Sequence, residues 1–334
     1  MAETVAGTVP GKLMIAGEYA VLDGRHRALS VAVGRLVGWR LKTPESNPRI
    51  DVEAFDTTFS WVLGEKAPAG IASVVDDALR GAAGAGWPLT GSLRLKIAGQ
   101  VDGVKFGLGT SAATVVATLR ACRAGHVGSA AHDRTEAEAP EARALAGLAH
   151  AIHFAMQGGK GSGYDIGTIQ AGGTVAYDAS NRSAMPVSWP GELWALALFT
   201  GEAANTRTAI RKKPTGALRD GLGEASERLI DTWTTGDVAS ILRGLDRCQR
   251  AFDEAVQAGT MLPSKAVETT CGWIRERGGV ARVSGAGGGD CVLAFGTGAA
   301  LRDKLLTDWA ARDGLCVHRL PEDIAPSTGA VRES

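Results

Sequence analysis

Cysteine is sparse: Cys122, Cys248, Cys271, Cys291 and Cys316 are scattered through 334 residues with no CxxC pair and no regular spacing. That excludes a disulfide framework and a cysteine-built zinc site, and it fits reduced thiols. No apolar run reaches the roughly 18 residues of a membrane span, and no charged stretch followed by an apolar core opens the chain. A cytoplasmic protein without a membrane partner is expected. An excess of one charge is also missing, since Lys plus Arg and Asp plus Glu number 36 each. No global field draws in nucleic acid, so any anion site has to be local.

What is present is 45% apolar residues, enough to bury a sizeable core in a chain long enough for two domains. Val-, Leu- and Ile-rich runs at 13–16, 29–41, 49–54 and 93–98 predict strands. Helical spacing covers 112–124 and 141–157, where Leu145, Leu148, Ile152 and Met156 recur at intervals of three and four. Between them, 123–140 reads as an exposed connection. Strands are expected at 166–170 and 174–177. The polar stretch DASNRSAMPVSWPGE, 178–192, then marks a boundary, giving domains at 1–185 and 186–334. The second half reads as a strand at 193–199, helices near 218–233, 238–258 and 265–277, and strands at 280–283 and 291–295. A final helix and a strand near 315–318 follow, and the tail after Pro321 is expected to be loose. Strands and helices mixed without βαβ alternation favour α+β over a doubly wound sheet.

Three glycine-rich stretches carry chemistry. In FGLGTSAATVVA, 106–117, Gly107 and Gly109 stand just before an apolar helix. Glycine lets backbone N–H groups turn to one point, and a helix start adds about half a positive charge, which together make a phosphate cradle. Thr110 or Ser111 can cap that helix or reach a phosphate-bound Mg²⁺; a capped helix after a glycine turn is the plain alternative. The lysine of a Walker A loop is missing. Gly107, Gly109 and Ala112 meet the dinucleotide spacing, but a loop-like segment stands where its second strand belongs. In VPGKLMIAGEYAVLDG, 9–24, Lys12 enters an apolar strand that Gly17-Glu18-Tyr19 follows, and an ammonium there can reach a phosphate. The third stretch, SGAGGGDCVLAFG, 284–296, has more glycine than a simple hairpin needs, which points to close approach of backbone to a ligand or another loop.

In this order the three stretches resemble the signature motifs of the GHMP kinases, the family of galactokinase, homoserine kinase, mevalonate kinase and phosphomevalonate kinase. The resemblance spans nearly the whole chain. It implies a two-domain α+β fold, with a mixed sheet and helices in the N-terminal domain and a ferredoxin-like C-terminal domain. It also implies ATP phosphates on Gly107, Leu108, Gly109, Thr110, Ser111, Ala112 and Ala113, with Ser111 on Mg²⁺. Within the family, the H-x-x-x-Q-G-x-K-G-S-G-x-D pattern from His153 to Asp165 is similar to the segment carrying the catalytic aspartate of phosphomevalonate kinases. FTGEAANTRTAI, 199–210, resembles their T-G-x-x-A-x-T stretch, although Glu202 and Asn205 depart from the small neutral or basic residues expected there.

The resemblance implies Lys12 and Asp165 as the catalytic pair. On the acceptor side it implies Gly17, Glu18, Tyr19, His153, Lys160, Ser162, Gly163, Tyr164, Thr206, Arg207, Ser284, Gly285 and Ala286. The implied reaction moves the γ-phosphoryl group of ATP to the phosphate of 5-phosphomevalonate, a small-molecule substrate, in a monomer or homodimer. Arg207, Arg211, Lys212 and Lys213 offer cations to such an anionic acceptor, a solvated helix start being the alternative. His150 and His153 stand one turn apart, but no third ligand at suitable spacing makes them a metal site. The rival readings are a sister kinase acting on a hydroxyl and a non-catalytic binding protein on the same scaffold. A binding protein has no need of both Lys12 and Asp165.

Overall fold

A computed structural model describes residues 3–101, 104–127, 140–202, 214–261, 263–326 and 330–333. Its organising pair is two long strands, β1 (Glu3–Ala16) and β2 (Ala28–Thr43), which run antiparallel from Glu3 opposite Thr43 to Ala16 opposite Leu29. The register shifts between Val9 and Gly11 and again between Met14 and Ala16. Such irregularities re-aim the side chains beside them, and Lys12 lies between the two.

On the far side of β2 stands β5 (Ser92–Ile97), with β3 (Arg49–Ala54) parallel to it and β4 (Thr57–Val62) at the edge. Residues Gln100–Val101 (β6) and Val104–Lys105 (β7) form a small separate hairpin leading to the glycine loop. The first part of β2 also pairs with β8 (Thr174–Asp178), and β8 with β9 (Ser183–Val187). A cut between residues 185 and 186 falls inside β9.

Helix α1 (Ile71–Gly84) buries Ile71, Ala72, Val75, Ala78, Leu79 and Ala82. The spacing is helical, but half of these residues are alanines, so the apolar stripe is faint in the sequence. Helix α2 (Thr110–Val127) lies on β1 and β2, with α1 and α3 (Pro140–Met156) packed against it. Because it is covered on several sides, α2 buries Ala112, Ala113, Val115, Val116, Ala117, Leu119, Ala121 and Cys122 and has no polar stripe.

One expected strand is a helix. Residues 166–170 belong to α4 (Tyr164–Ala171), which Gly163 opens with φ 81° and which packs on α2, β1 and β2. Its β-branched Ile166, Thr168 and Ile169 are all buried, and tertiary burial overrides their strand preference.

The second lobe is an antiparallel sheet in the order β11 (Val280–Val283), β12 (Cys291–Gly296), β10 (Trp194–Phe199), β13 (Cys316–Leu320). Both β10 and β12 are buried along their whole length. The helices Ala217–Thr235, Val238–Gln257, Lys265–Glu276 and Ala299–Ala310 complete this ferredoxin-like half. The tail is not loose. Ile324 and Pro326 bridge to Val33 and Gly172, and β14 (Ala330–Glu333) pairs antiparallel with the outer edge of β1. Backbone pairing holds this segment where its polar side chains give no sign of it.

Candidate active site

The glycine loop turns the chain from β7 into α2. Gly107 and Gly109 adopt left-handed φ values of 73° and 79°, which other residues take only with strain. Ala113 N donates to Gly109 O at 3.0 Å, closing the first turn of α2. The preceding N–H groups are left at the positive end of the helix, where an anion is favoured. Two bonds fasten the first motif to this loop: Lys12 N donates to Leu108 O at 2.9 Å, and Lys12 Nζ donates to Gly107 O at 2.9 Å. A Cβ on Gly109 would sit 3.0 Å from Lys12 Cε, and one on Gly107 would collide with the Asp290 carboxylate.

Lys12 is therefore surrounded by the ends of several elements. Its Nζ lies 5.4 Å from the centre of the Tyr164 ring. Partial burial opposes the ammonium, but Tyr164, Asp165 and Asp290 more than offset it, so the Lys12 pKa is raised and the charge is kept. Asp165 lies in the first turn of α4, 8% exposed. Burial acts to neutralise it, yet His153 first and Lys12 second prevail with the Ile166 N–H, and its pKa is lowered. A carboxylate is thus held at neutral pH. His153, 3% exposed, joins two parts of the site: Nδ1 lies 3.3 Å from Asp165 Oδ2, and Nε2 lies 3.3 Å from Ser111 Oγ. The imidazole spans from the start of α2 to the carboxylate.

Glu18 and Tyr19 meet Arg282 and Ala286, and Met14 meets Ser284, in a second cluster that ties the lobes together, while Gly285 has open space where a Cβ would stand. Glu18 Oε1 accepts from Arg282 Nη2 at 2.6 Å, with Arg282 0% and Glu18 3% exposed. Arg282 also donates to Ile15 O at 3.1 Å and to Gln249 Oε1 at 3.2 Å, so its buried donors are spent on protein partners. Gly17, at φ 101°, would bring a Cβ to 2.7 Å from Ala28 Cα. Ser284 Oγ accepts from Met14 N at 3.2 Å, and Tyr19 OH donates to Ala286 O at 2.9 Å. Burial pushes the Tyr19 phenol up to about 12, so it stays protonated as the donor. Tyr19→Phe is expected to lower stability by about 1–2 kcal/mol, measured by urea unfolding, because a part-buried carbonyl loses its donor. The acceptor KM should stay unchanged; a clear rise would make Tyr19 a substrate contact.

Of the other sequence candidates, Gly163 fits closely beneath His150, where a Cβ would strike the ring, and Ser162 O accepts from Tyr177 OH at 3.1 Å. Lys160 is exposed, and Thr206 and Arg207 lie outside the described residues, as do Arg211, Lys212 and Lys213. A cavity of about 350 Å³ lies beside His153, bounded by Leu22–Gly24, α3, Gly161–Gly163 and the β8–β9 turn. Two residues of consequence were not singled out from sequence. Asp290, the last residue of SGAGGGD, takes φ 61° and bonds from its backbone to Glu202 O and Thr200 N. Its acidic place at the end of a glycine run was the available signal. Arg282 had none, since a lone arginine inside an apolar strand shows nothing of its buried partner.

A glycine loop at a helix start, a lysine held against it and a carboxylate opposite, on two α+β lobes, define a small-molecule phosphotransferase. Residues 225–312 match the family described as GHMP kinases C terminal. The phosphomevalonate kinase of Streptomyces sp. (strain CL190) is 30% identical, the match covering 90% of this chain and 92% of that one. The chain belongs to the GHMP kinases. Two solved structures share the fold: a Lin0012 protein from Listeria innocua, with a TM-score of 0.78, 22% identity and coverage of 98% and 99%, and the Streptococcus pneumoniae phosphomevalonate kinase in complex with phosphomevalonate and AMPPNP, with a TM-score of 0.74, 21% identity and coverage of 96% and 99%. Among the described residues no helix is long and apolar enough to cross a membrane, and all five cysteines are free.

Proposed function

We infer that this protein is an ATP- and Mg²⁺-dependent kinase of the cytoplasm that transfers the γ-phosphoryl group of ATP to the phosphate of 5-phosphomevalonate, giving the diphosphate. The observation that carries this reading is the pairing of Lys12 with Asp165 beside the glycine loop, in a chain so similar to a phosphomevalonate kinase over nearly its whole length.

The N–H groups at the start of α2 receive the nucleotide phosphates. Lys12 balances negative charge as it passes from donor to acceptor. The acceptor oxygen of a phosphate is already ionised near neutral pH, so no proton has to be removed. Asp165 accordingly orients the acceptor and fixes charge around Lys12 and His153, where a hydroxyl acceptor would ask it for base catalysis. His153 keeps the carboxylate in register with the loop through Ser111.

The donor set fits Mg²⁺. The described residues hold no group of three or more His, Cys, Asp or Glu able to cage a metal, and Mg²⁺ needs few protein ligands when phosphate oxygens and water complete its shell. The Ser111 hydroxyl at the loop would hold it, and its charge would neutralise the phosphates. Lys160, Thr206 and Arg207 serve the acceptor side.

An ADP-release assay over mevalonate, phosphomevalonate, homoserine and galactose tests class and acceptor together. Phosphomevalonate is expected to support the fastest turnover. Turnover of mevalonate without phosphomevalonate would move the chain to a hydroxyl kinase, and ADP release with no acceptor on the panel would remove the assignment.

A further inference from the structure

The cavity of about 350 Å³ beside His153 has the size of a site for a small organic anion. Four ionisable side chains line it: Asp23, His150, His153 and Arg182. Three are already committed or uncharged. Asp23 accepts from Arg25 N at 2.9 Å and from Arg25 Nε at 3.0 Å, and Arg219 Nε lies 3.2 Å from it. His153 is held between Asp165 and Ser111. Burial pushes the His150 pKa down to about 4 against the pull of Asp165, and the nearby Arg182 charge adds to the fall, so its ring is neutral at physiological pH.

Arg182 is left. Among the described residues it has no acidic partner, and its charge acts on His150, which lines the same cavity. It sits in the β8–β9 turn at φ 58°, where Asp178 Oδ1 accepts from Ser180 N at 2.8 Å and Asn181 Oδ1 accepts from Ser183 N at 2.9 Å. The turn thus fixes the point from which the guanidinium reaches the cavity.

We propose that Arg182 receives the carboxylate end of the acceptor and is a specificity-determining residue. The proposal rests on the phosphomevalonate reading. That molecule carries an anion at each end. With its phosphate at Lys12 and Asp165, the chain of the acceptor runs past His153 into the cavity, and its carboxylate needs a cation there. A guanidinium meets a carboxylate through two parallel N–H bonds, a geometry that lysine lacks.

Steady-state kinetics of the full chain with Arg182→Gln and Arg182→Lys test this, using phosphomevalonate and an analogue with a carboxamide in place of the carboxylate. Arg182→Gln is expected to raise the acceptor KM about 10- to 100-fold, as for a lost charge-assisted bond, with the ATP KM within about twofold. Arg182→Lys should fall between the two. The native chain should prefer phosphomevalonate to the carboxamide, and Arg182→Gln should lose that preference. Arg182 is exposed, and glutamine meets the same left-handed backbone, so melting temperatures should agree. If Arg182→Gln nonetheless unfolds, Arg182→Lys alone decides through the KM split. Native turnover with an unchanged acceptor KM in the variants, or undiminished discrimination against the carboxamide, overturns the role of Arg182 and leaves the kinase reading intact. Failure of the native chain to phosphorylate phosphomevalonate overturns both.

Discussion

Gly109→Val is expected to abolish nucleotide binding, with titration calorimetry against AMPPNP showing no heat of association where the native chain gives a saturable isotherm. The residue carries φ 79°, which a β-branched side chain takes only with strain. A new Cβ would also stand 3.0 Å from Lys12 Cε and 3.1 Å from Lys12 Cγ, so the side chain must press on the lysine stem or force the loop outward. Either movement breaks the alignment of the N–H groups at the start of α2. Native affinity in this variant would remove the phosphate cradle from the account. Gly109→Ala probes the same point with a smaller side chain and should bind weakly, not at all like valine, if sterics add to the backbone strain.

Asp165→Asn and Lys12→Met are expected to lower kcat by at least about a hundredfold each while ATP affinity stays within a few-fold, because both groups act on charge in the transition state. Rapid-quench turnover and equilibrium nucleotide binding separate the two quantities. The double variant should lose far less than the product of the single losses, since the charges of Lys12 and Asp165 act on each other and share the same balance. For the native chain, protonation of Asp165 should reduce kcat only below the ordinary carboxylate range, because His153 and Lys12 keep Asp165 low. Any fall at about pH 6 should be shared by Asp165→Asn, as the second ionisation of the acceptor phosphate. Near-native turnover in either single variant would end the role given to that residue.

How far the sequence reveals these parts depends on how local their causes are. The loop at 107–113 is legible because its glycines and the helix after it are neighbours in the chain. So are most second-lobe strands, where runs such as Trp194–Phe199 are wholly apolar and buried. Asp165 was legible only through a motif. Its length of chain looked like a strand, because the side chains of α4 answer to burial against α2 and β2, which no local pattern records. The tie of Glu18 to Arg282 joins residues from opposite ends of the sequence, and the motif led to Glu18 as a substrate contact while the geometry gives it a buried guanidinium as partner. Arg182 was hidden for a related reason: a polar turn signals an exposed loop, not the cavity that the loop borders.

The pairing of β14 with β1 bears on how the chain is assembled at the ribosome. The outer edge of β1 is made first, but its partner, Ala330–Glu333, is synthesised only after the whole second lobe. Until then the growing chain carries an open strand edge, the kind of surface on which nascent proteins pair with the wrong neighbour. The first lobe can collapse early around α2, yet its sheet is sealed last, and a slow or stalled second lobe prolongs that exposure.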